Sequence, residues 1–167
     1  MSSETADNHL PASAKRVVEA AADHGVEIDV VEFPAGTRTA IDAASAVGCA
    51  VDQIVKSMIF DANGEVVLAL TSGINQVDPD ALATMAKAPR CGRADPEQVR
   101  AATGYAIGGV PPFGHDHPVR TWIDPHLLDF DELWAAAGTP RHVFAITPQA
   151  LMDLTGADPQ PFTVTGG

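Results

Sequence analysis

Residues 53–73 read QIVKSMIFDANGEVVLALTSG, and this stretch decides the fold. Ile54 to Asp61 and Glu65 to Thr71 are two runs rich in β-branched and long apolar side chains, joined by Ala62-Asn63-Gly64. An Asn-Gly pair between two such runs is a strong signal for a tight antiparallel hairpin, because both residues tolerate the positive φ of the turn.

Outward from the hairpin the chain alternates helices and strands. Upstream, Ser13 is placed to cap a helix running to about His24, with Val17, Val18, Ala21 and Ala22 on one face and Gly25 as its stop. Ile28 to Phe33 reads as a strand ended by Pro34, and Thr39 precedes an Ala-rich helix that ends at Gly48. Downstream, Asp78-Pro79 and Asp95-Pro96 each pair a capping side chain with a proline suited to the first helical position. Leu82 and Met85 share one face of the first of these helices, and Gly104 stops the second. Val119 to Asp124 reads as a strand, residues 125–138 (PHLLDFDELWAAAG) as a short helix or turn, HVFAIT as a strand and TPQALMDLTGA as a capped last helix. Residues 1–11 and the Pro- and Gly-rich 158–167 are expected to be flexible ends around a domain spanning 12–157. Strands mixed with helices, without strict βαβ alternation, predict a single α+β domain with a mixed sheet.

A chain of 167 residues fits one domain with an ordinary core. Its 46% hydrophobic and 19% charged residues argue against disorder, and no apolar run approaches the length that spans a bilayer, so no membrane partner is expected. The N-terminal residues lack a basic stretch followed by an apolar core, so the expectation is a cytoplasmic protein. Cys49 and Cys91 have no ligand spacing and read as reduced thiols. A net charge of −12 weighs against non-specific nucleic-acid binding but leaves room for a local site. Lys87, Arg90, Arg93 and Arg100 fall within fourteen residues, either as a solvated face or as a contact surface for an anion.

Lys56 sits among Ile54, Val55, Met58, Ile59 and Phe60, and strand alternation puts it on the face of Ile54 and Met58. A lysine so placed either snorkels at a sheet edge or projects into a pocket where an anion offsets its desolvation. Residues 103–117, TGYAIGGVPPFGHDH, carry four glycines and two prolines, which suits a long connector or a backbone that approaches a ligand closely. His115 and His117 lack the third and fourth partners of a zinc site, so no metal is expected. There is no G-x-S-x-G for a serine nucleophile, Ser57 and Ser72 have no partner visible in sequence, and GYAIGGV is not a dinucleotide-binding loop. What remains is backbone chemistry, with N–H groups aimed at a carbonyl or phosphate oxygen.

IVKSMIFDANGEVVLAL, TGYAIGGVPPFGH, WIDPHLL and AAGTPRHVFAITPQALMDLTGA, taken in order, resemble the YbaK / prolyl-tRNA-synthetase-associated domain family of aminoacyl-tRNA deacylases. The resemblance runs from roughly Ala12 to Ala157. It implies a mixed, partly barrel-like sheet flanked by helices, and removal of wrongly attached amino acids from tRNA, such as Cys or Ala on tRNA(Pro). It implies that Lys56 contacts the tRNA acceptor end and that Gly108 and Gly109 shape the pocket around the aminoacyl carbonyl. Pro112, Phe113, Gly114, His115 and Asp124 match the remaining signature of a substrate site, with Ser57 beside the lysine, and Thr37 and Thr39 lie where the amino-acid side chain is lined. Lys87, Arg90, Arg93 and Arg100 become candidate tRNA contacts, prolyl-tRNA synthetase a partner to expect, and no cofactor is implied. The competing expectation is a non-catalytic module of the same fold that binds a nucleotide or a synthetase.

Overall fold

A computed structural model describes residues 10–165. The flexible N-terminus expected for residues 1–11 falls almost wholly outside them. In chain order the elements are α1 (Ala12–Ala22), β1 (Val30–Glu32), α2 (Ala40–Val47), β2 (Ile54–Ala62), β3 (Glu65–Ser72), β4 (Asn75–Val77), α3 (Pro79–Ala86), β5 (Gly92–Arg93) and α4 (Pro96–Thr103). These are followed by β6 (Arg120–Ile123), β7 (Leu133–Ala136), β8 (His142–Ile146), α5 (Pro148–Thr155), β9 (Asp158–Pro159) and β10 (Thr163–Thr165). Single turns of 3-10 helix occupy Val51–Gln53 and Pro125–Asp129.

The hairpin forms with the expected register, Val55 opposite Ser72 through Ala62 opposite Glu65, and Asn63 takes φ 53° at its turn. It is the centre of a mixed sheet ordered β1-β8-β7-β2-β3-β6-β9, in which β2–β7, β3–β6 and β6–β9 are parallel. Among the described residues five α-helices flank it, so the molecule is a single α+β domain. The two faces of the hairpin are buried differently. Val55, Ile59, Leu68 and Leu70 face a main core with α1, Val99 of α4, Phe144 and Leu151. Phe60, Val67 and Ala69 face a second cluster with Leu82, Trp122 and Phe162.

Helix starts follow the capping chemistry. The side chains of Thr39, Asp78, Asp95 and Thr147 each accept a hydrogen bond from a backbone N–H of the helix they open. Ser13 does not: α1 begins one residue earlier, at Ala12, with Pro11 in the cap position and no side-chain bond. Two further expectations are corrected. Residues 133–136 are a strand, β7, because Leu133 and Ala135 bury on alternate positions against β2 and β8. The segment after Ala157 is not a frayed tail as far as Thr165: β9 extends the sheet beside β6, β10 pairs with β4, and Phe162 is fully buried between them. Burial of that one aromatic ring is enough to order a short Pro-rich segment.

Candidate active site

Strand β2 is paired along its whole length with β3, but its other edge is interrupted. There β7 meets only Ile54 and Val55, and β5 meets only Phe60 and Asp61. Ile59 O accepts from Ala94 N at 3.1 Å on the β5 side. Main-chain direction alternates along a strand, so the N–H and C=O of Ser57 face the same edge, at the gap where no strand arrives. A cleft of about 390 Å³ opens there.

Part of the cleft lining is cationic. Lys56, Arg38 and Arg93 line it, and no Asp, Glu, His or Cys does. Among the described residues none of these three cations has a carboxylate within 4.0 Å. Lys56 lies on the face of Ile54 and Met58, as its place in the strand dictates, and its Nζ donates to the main-chain O of Asn75 at 2.6 Å. Asn75 is itself held by Asp124: its Nδ2 donates to Oδ2 at 2.9 Å, alongside Ser72 N at 3.1 Å, while Oδ1 accepts from His126 N at 3.0 Å. Asp124 is 2% exposed and stands behind the lysine rather than in the cleft wall. Partial burial pushes the Lys56 ammonium below the usual lysine pKa, the nearby Arg93 pushes it further, and the Asp124 charge partly opposes them.

The apolar part of the lining includes Val55, Ile59, Val99, Val110 and Ala135, which belong to the main core. Over the top lie Ile107 and Gly108. Gly108 has φ +93°, and a Cβ there would come within 3.1 Å of the Arg38 side chain. Gly109 behaves differently from its neighbour. Its N–H donates to Ala106 O at 3.1 Å, and a Cβ would lie 2.6 Å from the Thr139 Cα, so its backbone rests flat on the β7–β8 turn. Of the glycine pair, Gly109 thus has its donor engaged, and Gly108 is the one that lines the cleft. The same turn holds Thr37, whose N and Oγ1 donate to Pro140 O at 2.7 and 3.2 Å. Thr39 lines the cleft while its Oγ1 caps α2.

The remaining sequence-derived candidates divide. Pro112, Phe113, Gly114 and His115 border a separate cavity of about 480 Å³, with Asp116, His117 and Thr155. Phe113 packs edge-on against Phe144 at 5.6 Å. His115 Nε2 pairs with Pro111 O at 2.7 Å, burial lowers its pKa, and Tyr105 OH donates to Gly114 O at 3.0 Å. Of the basic cluster only Arg93 reaches the cleft; Lys87, Arg90 and Arg100 are exposed elsewhere. Sequence reasoning missed Arg38, although it stands between the two threonines that were singled out, and it missed Asn75, which acts through its main chain and so leaves no side-chain signature. Among the described residues no three His, Cys, Asp or Glu side chains gather as metal ligands.

A family model described as "Aminoacyl-tRNA editing domain" matches residues 34–154. A crystal structure described as that of a candidate trans-editing enzyme for prolyl tRNA synthetase superposes with a TM-score of 0.87 at 45% identity, covering 95% of this chain and 99% of that one. The Escherichia coli (strain K12) protein named multifunctional Ser/Thr-tRNA deacylase ProXp-y is 29% identical over 133 residues, 74% of this chain and 77% of that protein. A proline–tRNA ligase of Nitratidesulfovibrio vulgaris (strain DP4) is 29% identical over 137 residues, which are 75% of this chain but 24% of the ligase.

Proposed function

The chain belongs to the family of aminoacyl-tRNA editing domains, and on that premise we propose that it is a hydrolase of mischarged aminoacyl-tRNA acting in trans, on tRNA(Pro) carrying Cys, Ala or a similarly small amino acid. Prolyl-tRNA synthetase is the partner whose errors it would correct, and the cytoplasm is where it would meet them. The observation that carries this reading is the cleft at the interrupted edge of β2. Its cations suit the phosphates and ribose of an acceptor terminus, its apolar lining suits a small side chain, and the open Ser57 backbone borders the same cleft.

The chemistry needs little more than positioning. An aminoacyl ester is already activated, so holding it against a water, a ribose hydroxyl or the substrate's own thiol removes much of the barrier. Water, oriented by a ribose hydroxyl, adds to the ester carbonyl carbon and frees the amino acid, or the substrate's own thiol adds and frees it as a cyclic thioester; negative charge collects on the carbonyl oxygen, and collapse expels the ribose oxygen, which takes up the proton lost by the nucleophile. The N–H groups of Gly108 and Ser57 are the donors available for that charge, and one such donor is typically worth about 3 kcal/mol. Lys56, held by Asn75 and free of any carboxylate partner, would bind the phosphate or ribose. A mechanism of this kind works by orientation and asks for no nucleophile and base in tandem. The net charge of −12 is compatible with this site, because three unpaired cations meet the RNA locally while the rest of the surface repels it.

The deciding experiment incubates the protein with a panel of mischarged tRNAs and measures released amino acid. Release from at least one small-residue tRNA(Pro) is expected. Inactivity across the panel would replace the hydrolase with a non-catalytic module that binds through the same cleft.

A further inference from the structure

Residues from both faces of the sheet line the cleft, and the strand registers say which side chain belongs to which face. Alternation sets Ile54, Lys56 and Met58 on one side of β2, and residues opposite one another on paired strands share a side. Trp134 of β7 stands opposite Ile54 and Arg93 of β5 opposite Phe60, so the indole, the ammonium and the guanidinium lie on the same side. Val55, Ile59 and Ala135 lie on the other, toward the main core. All six line the cleft.

Trp134 is poorly placed for a core residue. Its neighbours Leu133 and Ala135 are 0% and 2% exposed, whereas Trp134 stays partly exposed, backed by Ala43, Ala44 and Ile54. Among the described residues it is the one aromatic side chain in the cleft lining. Its Nε1 donates to Glu132 Oε1 at 3.2 Å, and Glu132 stands outside that lining. The polar edge of the ring is therefore engaged, and what the ring offers a ligand is apolar π surface beside positive charge. Sites for single-stranded nucleic acid combine these two features, an aromatic side chain under a base and cations along the backbone.

We infer that Trp134 is a nucleobase platform on which the terminal adenine of the acceptor end stacks, so that the cleft recognises the nucleoside carrying the ester and not the ester alone. The inference rests on the deacylase reading and adds a base-binding subsite to it. Ile54, the partner of Trp134, is two residues along β2 from Lys56, about 7 Å at the rise of a strand. That separation is within the span of one nucleotide, so a ribose or phosphate held at Lys56 brings its own base to the indole. Arg93 lies further along the same side, where the preceding phosphates would run. The side chain of a small amino acid has no planar face to lay on an indole; adenine has one.

The test removes the base and keeps everything else. A tRNA(Pro) whose terminal nucleotide carries either adenine or no base is charged with an amino acid that the mischarged-tRNA panel shows to be released. Values of kcat/KM are then measured for the full chain, Trp134→Phe and Trp134→Ala. The wild-type protein is expected to favour the adenine-bearing substrate at least tenfold, Trp134→Phe to keep most of that preference, and Trp134→Ala to bring the ratio near one. Equal rates in the wild-type protein, or a preference undiminished in Trp134→Ala, would overturn the assignment. A second measurement needs neither hydrolysis nor the alanine variant: the trinucleotide CCA is titrated while tryptophan fluorescence is followed. Quenching that disappears in Trp134→Phe, whose remaining Trp122 is 8% exposed, supports the platform. Quenching that is absent from the wild-type protein, or persists in Trp134→Phe, overturns it. Inactivity across the whole panel would overturn the deacylase reading beneath it, and the trinucleotide titration would still decide the platform.

Discussion

Two cavities of similar size flank the segment 103–117, and they differ in what their polar atoms have left to do. Around the cavity of about 480 Å³ most polar groups are already matched, His115 with Pro111 O, Tyr105 OH with Gly114 O, and Arg16 with Asp116, though His117 is not. Around the cleft of about 390 Å³ they are not: among the described residues Arg38 and Arg93 lack carboxylates, Ser57 Oγ lacks any partner, and the Ser57 main chain faces a gap in the sheet. The histidines were the more conspicuous residues in sequence, yet His115 bonds inward to the loop's own backbone and His117 is exposed. Open valence, not residue type, separates a place that receives a ligand from a place that supports one.

Substitutions on the two sides should therefore diverge. The largest effect is expected from Lys56→Ala, which should lower deacylation by about a hundredfold or more, the scale of losing a transition-state contact, with an unchanged circular dichroism spectrum. Activity within a few-fold of wild type would erase the contrast between the cavities. Asp124→Asn comes next, at about tenfold in kcat/KM, because a charge-assisted anchor of Asn75 is weakened and Lys56 loses its support. If instead Asp124→Asn were as active as wild type, the lysine would not need the buried carboxylate behind it.

Arg93→Ala should act on binding more than on turnover. It is expected to weaken tRNA binding several-fold and to reduce the slope of log Kd against log salt by about one. It should also move the pH profile in a definite direction. If Lys56 must be protonated to hold an anion, activity is present below its pKa and is lost as pH rises through it. Burial and Arg93 lower that pKa, so the alkaline loss should begin below the ordinary lysine value of about 10.4. Removing Arg93 should shift the loss to higher pH, and removing the Asp124 charge should shift it lower; a profile identical in both variants would take Lys56 out of the titration. The smallest effect is expected at the other cavity. His115→Gln should keep deacylation within about twofold while costing about 1 kcal/mol of stability, read as a Tm lower by a few degrees.

How far these regions could be read in advance follows from the range of the forces involved. The hairpin, the side of Lys56 and four helix starts depend on residues within a few positions of one another, and they were legible. Strand β7 was not, because Trp134-Ala135-Ala136 has no local preference for a strand and becomes one only when β2 and β8 arrive on its two sides. The same distance effect hid the site's support. That Gly109 lies on Thr139, that Thr37 hangs from Pro140, and that Asn75 offers its carbonyl to Lys56 are consequences of tertiary approach, invisible to composition or period. The charge of the cleft misled in the opposite sense, since the basic cluster conspicuous in sequence contributes one residue to it while the isolated Arg38 contributes another.

The pairing of β10 with β4 places Thr165 opposite Asn75, the residue whose carbonyl steadies Lys56. During synthesis the hairpin emerges from the ribosome some ninety residues before its last supporting strand, so a nascent chain can hold a nearly finished sheet and still lack a settled lysine.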